Sequence, residues 1–320
     1  MAHGGDLGAV RARYPGAPEP WIDLSTGINP VPYPVPSLPP EAWSRLPTRE
    51  QERALLEAAA LRYGVRDLAT IVAAPGTQAL IQLLPRIVPR SRVAIVGPTY
   101  DEHETCWIRQ GHDVRIVANL DEARGAEVVV VVNPNNPTGL LLPPAALRRT
   151  EGLLIVDEAF VDLLPPDASL ASDLPDNAIV LRSFGKAYGL AGVRLGFAIA
   201  ARAIVDRIRD EFGPWAVSGP ALEIGCRALR DSAWLEVAAA RLAEDRRRLD
   251  ALLVSAGCAI VGGTSLFCLA RHPDAIGLAD RLARQGIHVR RFAHTPQWLR
   301  FGLPADATEF GRVQAALVPL

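Results

Sequence analysis

Residues 128–132 are five consecutive valines, and they constrain this chain more than any other stretch. A strand with no polar side chain on either face cannot lie at a surface. Both faces must be covered, and in a water-soluble chain helices do the covering. The run has company. A helix is expected over residues 48–63, and after it β-branched runs at 92–96, 114–117, 127–132, 153–156, 179–182 and 195–199 alternate with helical patterns. Apolar strands alternating with helices predict an α/β fold with a mostly parallel sheet between helical layers.

The flanks read differently. The first forty residues are rich in Pro and Gly, which excludes a long helix or a central strand and predicts an arm laid over the surface. An amphipathic helix is expected over 232–255, with Arg246-Arg247-Arg248 as a solvated face. Strands at 259–261, 265–269, 287–290 and 298–301, a helix over 275–285 and a last helix from Asp306 predict a smaller α+β unit. The expected division is an arm at 1–44 joining the small domain, a large domain at 45–215, and a linker helix with the small domain at 216–320.

A net charge of −1 provides no basic field, so neither nucleic acid nor an acidic membrane surface is an expected partner. Cys106, Cys226, Cys258 and Cys268 form no close pair and read as structural thiols. The opening residues lack the charged and apolar regions of a signal peptide, and no apolar run is long enough to span a bilayer, so a cytoplasmic location is expected. No histidine spacing fits a metal: His103, His112, His272, His288 and His294 are assigned no role.

Of 34 Lys and Arg residues, 33 are Arg, and the one lysine is Lys186. Arginine replaces lysine wherever only a wet positive charge is needed. It cannot replace an amine that must lose its proton and attack a carbonyl carbon. Codon bias alone explains the scarcity, but not why the survivor lies three residues after Ser183 and eight before Arg194 in a Gly-rich stretch. Lys186 reads as a Schiff-base lysine.

Other candidates fall after expected strands, where parallel sheets bind ligands. Gly76-Thr77-Gln78 opens a helix and suits a phosphate, although the same pair also serves as an ordinary cap. In Asn133-Pro134-Asn135-Asn136-Pro137-Thr138-Gly139 the prolines and glycine ensure a turn without requiring three asparagines. Asp157 ends an apolar strand, where an acid needs a partner such as a cationic ring nitrogen.

Together these motifs resemble, in order and over essentially the whole chain, the fold-type-I pyridoxal-phosphate enzymes of the class I/II aminotransferase superfamily. The resemblance implies that Lys186 carries the cofactor, and that Gly76, Thr77, Gln78, Ser183 and Arg194 hold its phosphate. Asp157 would pair with the ring nitrogen, Asn136 with the ring 3-oxygen, and Tyr100 would stack on the ring. Arg300 stands in the place of the substrate-carboxylate arginine. Within the superfamily, the opening His3-Gly4-Gly5-Asp6, the segment from Asp23 to Pro30, and Gly286-Ile287-His288-Val289-Arg290 are similar to the branch that decarboxylates L-threonine O-3-phosphate in cobalamin biosynthesis. That likeness implies a phosphorylated amino-acid substrate met by His3, Asn29 and Arg290, and a homodimer. Histidinol-phosphate aminotransferases are the near alternative. Phe160 departs from them, since they usually carry Tyr there. Leu46 stands where many members have a Tyr that reaches the neighbouring subunit's cofactor. A non-catalytic cofactor-fold module is a third reading, disfavoured by the intact Lys186, Asp157, Asn136 and Arg194.

Overall fold

The computed structural model describes residues 4–35 and 37–317, so His3 lies outside the described residues. In chain order the strands assigned among them are β1 (Ile22–Leu24), β2 (Ile71–Ala74), β3 (Arg92–Val96), β4 (Asp113–Val117), β5 (Val128–Val132), β6 (Leu153–Asp157), β7 (Ala178–Ser183), β8 (Gly196–Ala200), β9 (Ala259–Thr264), β10 (Phe267–Arg271), β11 (Ile287–Arg291) and β12 (Trp298–Gly302). The helices are α1 (Leu7–Arg13), α2 (Glu41–Ser44), α3 (Arg49–Tyr63), α4 (Thr77–Ile87), α5 (Asp101–Arg109), α6 (Pro144–Leu147), α7 (Phe184–Ala187), α8 (Arg202–Phe212), α9 (Gly219–Arg230), α10 (Ser232–Ser255), α11 (Ala275–Arg284) and α12 (Ala307–Leu317).

The chain divides into two compact units. The larger comprises Tyr33–Asn136 and Leu140–Leu235; the smaller comprises the chain up to Pro32, Pro137–Gly139, and everything from Glu236. The boundaries expected at 44 and 215 both fall within the larger unit. Aromatic packing accounts for the difference. The Tyr33 ring sits edge-on to Tyr188 and Trp234, at 6.3 and 5.2 Å between centroids, tying the arm's end and the start of α10 into the larger unit. Helix α9 is held there too: Gln51 Nε2 of α3 donates to Glu223 Oε1. Three residues of the Asn-Pro turn go the other way, because Gly263 N donates to the Thr138 carbonyl at 2.9 Å.

In the larger unit the sheet order is β2-β8-β7-β6-β5-β3-β4 among the described residues. All pairs are parallel except those of β8, which runs antiparallel to β2 and β7. The valine strand β5 is buried along its whole length. Val129 and Val131 face the layer of α3 and α9, with Leu55, Tyr63 and Leu222. Val128 and Val130 face the layer of α4, α5 and α8, with Leu80, Trp107 and Ile208. Each such apolar side chain contributes roughly 1.5–3 kcal/mol by leaving water. Helix α3 starts where the sequence places it, by a reciprocal cap between Thr48 and Gln51, and stops at Gly64 with φ 71°.

The smaller unit has the sheet β1-β11-β12-β10-β9 among the described residues. Here the N-terminal segment is more than an arm. Trp21 and the prolines flank an edge strand, β1, that pairs in parallel with β11 in the register Ile22↔Ile287. Proline-rich flanks are compatible with an edge position and with no other. No helix among the described residues is long and apolar enough to cross a membrane.

Candidate active site

The ends of the strands of the larger sheet gather the expected residues along one edge. Gly76–Gln78 follows β2, Tyr100 follows β3, Asn133–Asn136 follows β5, Asp157 ends β6, and Ser183 ends β7. The reversed strand β8 brings Arg194 to the same edge, because its first residue, Gly196, pairs with both Ala74 and Ser183.

At the start of α4 these residues form a cradle. Gly76 takes φ 84°, and no side chain caps the helix. The backbone N–H groups of the first turn, with the helix dipole, are left to receive an anion. A Cβ on Gly76 would come within 2.7 Å of Arg194 Nη2, and one on Gly196 within 2.7 Å of Thr77 N. Glycine is therefore required at both positions for Arg194, Ser183 and the helix start to converge. A phosphate group fits that donor set.

Asp157 is 3 % exposed. Its Oδ1 accepts from Ala159 N at 3.1 Å, and its Oδ2 lies 3.0 Å from Nε2 of buried His103. The sequence reading left His103 without a role. His103 lies on α5 three residues after Tyr100, the residue that precedes the helix, and the two rings meet edge-on at 6.2 Å. Tyr100 Oη donates to Gln78 Oε1 at 3.2 Å, and Gln78 Nε2 to Glu102 Oε2 at 2.7 Å, linking the aromatic to the cradle.

Asn133 exchanges two hydrogen bonds with the backbone of Leu142, at 2.7 and 3.0 Å. Asn135 donates to the Pro98 carbonyl and accepts from Thr99 Oγ1. Both lock the turn. Lys186 rides on the short helix α7, with Nζ 5.6 Å from the centre of the Phe160 ring.

In the smaller unit, Arg290 and Arg300 face each other directly on neighbouring strands β11 and β12. Arg291 points to the other face and donates to Asp280 at 2.8 Å, so alternation leaves Arg290 on the face of Arg300. Arg300 is buried and donates to the Ser25 carbonyl at 2.7 Å. Like charges opposite one another in a sheet repel. An anionic ligand relieves that repulsion, and one with two anionic groups does so best. Asn29 Oδ1 accepts from Arg241 at 2.6 Å and from Val31 N at 3.1 Å, so its carbonyl oxygen anchors the arm.

The family pattern described as aminotransferase class I and II matches residues 38–312. The chain belongs to this family. The class I and II aminotransferase relatives include a threonine-phosphate decarboxylase from Sinorhizobium sp., 46 % identical over 99 % of this chain and 97 % of the relative. Another, from Pseudomonas aeruginosa, is 40 % identical over the same shares. Among solved structures, a histidinol-phosphate aminotransferase from Sinorhizobium meliloti in complex with pyridoxal-5'-phosphate superposes with a TM-score of 0.82, covering 99 % of this chain and 94 % of that one, at 23 % identity. The last likeness shows the fold, with the aminotransferase arrangement of a large sheet unit and a smaller α+β unit.

Proposed function

We propose that this chain is a pyridoxal-phosphate-dependent lyase that decarboxylates L-threonine O-3-phosphate to (R)-1-amino-2-propanol O-2-phosphate, a step of cobalamin biosynthesis. The observation that carries the reading is identity of 46 % and 40 % to threonine-phosphate decarboxylases over 99 % of this chain, against 35 % over 78 % of it for a histidinol-phosphate aminotransferase. The opposed pair Arg290 and Arg300 supports it, because the proposed substrate carries both a phosphate and a carboxylate.

The residues present fit the cofactor. The cradle of Gly76, Thr77, Gln78, Ser183 and Arg194 would take its phosphate, Tyr100 would stack on its ring, and Asn136 would bond its 3-oxygen. Lys186 supplies the only lysine amine for its aldehyde carbon. Bound pyridoxal phosphate would supply an electron sink for the bond that breaks at Cα. Asp157 holds a proton at the ring nitrogen, and His103 and the Ala159 amide fix the direction in which that carboxylate points. Arg300 takes the substrate carboxylate in a bidentate fork, and Arg290 takes the substrate phosphate. Which Cα bond breaks would depend on how firmly the far end of the substrate is clamped. Arg290, with Asn29 and His3 of the arm, does that clamping. Decarboxylation then replaces the carboxylate on Cα by a proton and releases carbon dioxide.

The test is carbon dioxide release from L-threonine O-3-phosphate without any keto acid, by protein expected to sediment as a homodimer. Amino transfer to 2-oxoglutarate with no carbon dioxide would establish an aminotransferase instead. The same assay separates the arginines. Arg290→Ala should depress kcat/KM for the phosphorylated substrate by the ~2–5 kcal/mol typical of a lost desolvated charge pair, and should affect plain threonine much less. Arg300→Ala should impair both. Equal losses for the two substrates in Arg290→Ala would remove Arg290 from the phosphate.

A further inference from the structure

Behind the site, on the opposite face of the larger sheet, lies a buried charged cluster that the proposed chemistry does not use. Strand alternation produces it. Asp157, Leu181 and Ser183 share one face, with Asp157 beside Leu181 in register. Their neighbours Glu158 and Arg182 therefore point the other way, into the apolar layer under α3. Arg182 is 4 % exposed and Glu158 0 %. Arg182 Nη1 donates to Glu158 Oε2 at 3.3 Å and to Ser169 Oγ at 3.1 Å, and Nη2 donates to Asp162 Oδ1. Glu158 also accepts from Ser169 Oγ at 2.5 Å and Leu170 N at 2.8 Å. The guanidinium lies 4.1 Å over the Tyr63 ring.

This cluster is a poor device for stability. Burial pushes the Glu158 carboxyl up, against the pull of Arg182 and Ser169. Arg182 Nε, Asp162 Oδ2 and Tyr63 Oη have no hydrogen-bond partner among the described residues. Replacing buried ions by apolar groups of like volume is often neutral or stabilising. What the cluster does accomplish is mechanical. Glu158, Asp162 and Ser169 all lie on the loop that leaves β6, and all three are tied to one guanidinium on β7. Between Glu158 and Asp162 the same loop carries Phe160, whose ring faces Lys186 Nζ. Arg182 itself stands one residue before Ser183 and four before Lys186.

We infer that Arg182 is a positioning residue, which from the reverse face of the sheet clamps the loop after β6 so that Asp157 and Phe160 keep their places relative to Lys186. The inference rests on the cofactor roles proposed above for Lys186 and Asp157. A displacement of about 1 Å in such a group costs up to roughly a hundredfold in rate. The Phe160 ring lies over the Lys186 amine, so loosening the ring changes the surroundings in which that amine reacts.

Two variants keep the net charge of the cluster: R182K, which keeps the cation without the fork, and R182M/D162N, which removes the ion pair across the loop. Lys186 is the only lysine of the wild type and of R182M/D162N, so trinitrobenzenesulfonate labelling of its peptide in those two cofactor-free proteins reports its reactivity directly, while R182K is read by kcat and KM. The expected result is a wild-type melting profile for both variants and a Lys186 labelling profile displaced from wild type for R182M/D162N. In the loaded enzyme kcat should fall about tenfold or more with little change in KM, and R182K should lie between wild type and the double variant. Variants that fold normally and keep the wild-type labelling profile and kcat overturn the inference. So does failure of both to fold, which would make the cluster a stability element. A wild-type protein whose Lys186 takes up no pyridoxal phosphate would instead defeat the proposed function.

Discussion

Lys186→Ala should retain the fold and abolish turnover, lowering kcat by roughly four powers of ten or more, above about 5 kcal/mol of barrier. Lys186 sits on a one-turn helix at the end of β7 and is only half-buried, so truncation removes little packing. What it removes is the chain's single lysine amine, which no arginine replaces as a nucleophile. The variant should still take up some cofactor non-covalently through the cradle at α4. The complementary experiment uses wild-type protein. Borohydride reduction of the loaded enzyme should fix the cofactor to the Lys186 peptide alone. Label on another peptide, or a protein that takes up no cofactor at all, would be decisive against the assignment.

Asp157→Asn should cost several powers of ten in kcat, at ~1.4 kcal/mol per tenfold, with a much smaller loss of cofactor affinity. The substitution is nearly isosteric. An amide can still accept the Ala159 N–H, and His103 can shift its ring proton so that Nε2 accepts from the amide nitrogen. Geometry is therefore largely kept, and the ability to hold a proton at the ring nitrogen is lost. Cofactor binding by absorbance titration and kcat by carbon dioxide release separate the two effects. Turnover near the wild-type value would take Asp157 out of this role.

The legible parts of the site are those in which a residue type is chemically irreplaceable. A lone lysine, an acid closing an apolar strand and a glycine opening a helix each announce themselves without neighbours. His103 did not, because a single histidine inside a helix has the same sequence signature whether it supports a carboxylate or fills a core. Only the fold brings it against Asp157, which lies 54 residues away in the chain. Arg182 was hidden in the same way. Inside a run otherwise apolar it reads as one strand residue, and its partners Asp162 and Ser169 lie on a connection with no periodic pattern. The fold was legible where periodicity was strong. Strands β3 to β7 fall within about a residue or two of the expected runs. The reversal of β8 was not visible, since an apolar strand carries no mark of its direction. Nor was β1, whose three residues are outnumbered by the prolines around them.

The pairing of β1 with β11 sets an order of assembly. A chain emerging from the ribosome presents Ile22–Leu24 before the larger unit, and their partner, Ile287–Val289, emerges only after it. Everything from Tyr33 to Leu235 that builds the larger unit is available well before then. The nascent protein thus has a long interval with a finished sheet at its centre and an unmatched strand at its front. Unmatched strands recruit wrong partners, and slow, distant pairings prolong the danger. Pro18, Pro20, Pro30 and Pro32 bracket the strand and cannot donate to any ladder, so little beyond Trp21 to Asn29 is open to an incorrect match. The same prolines that conceal β1 in the sequence keep it uncommitted until its own edge exists.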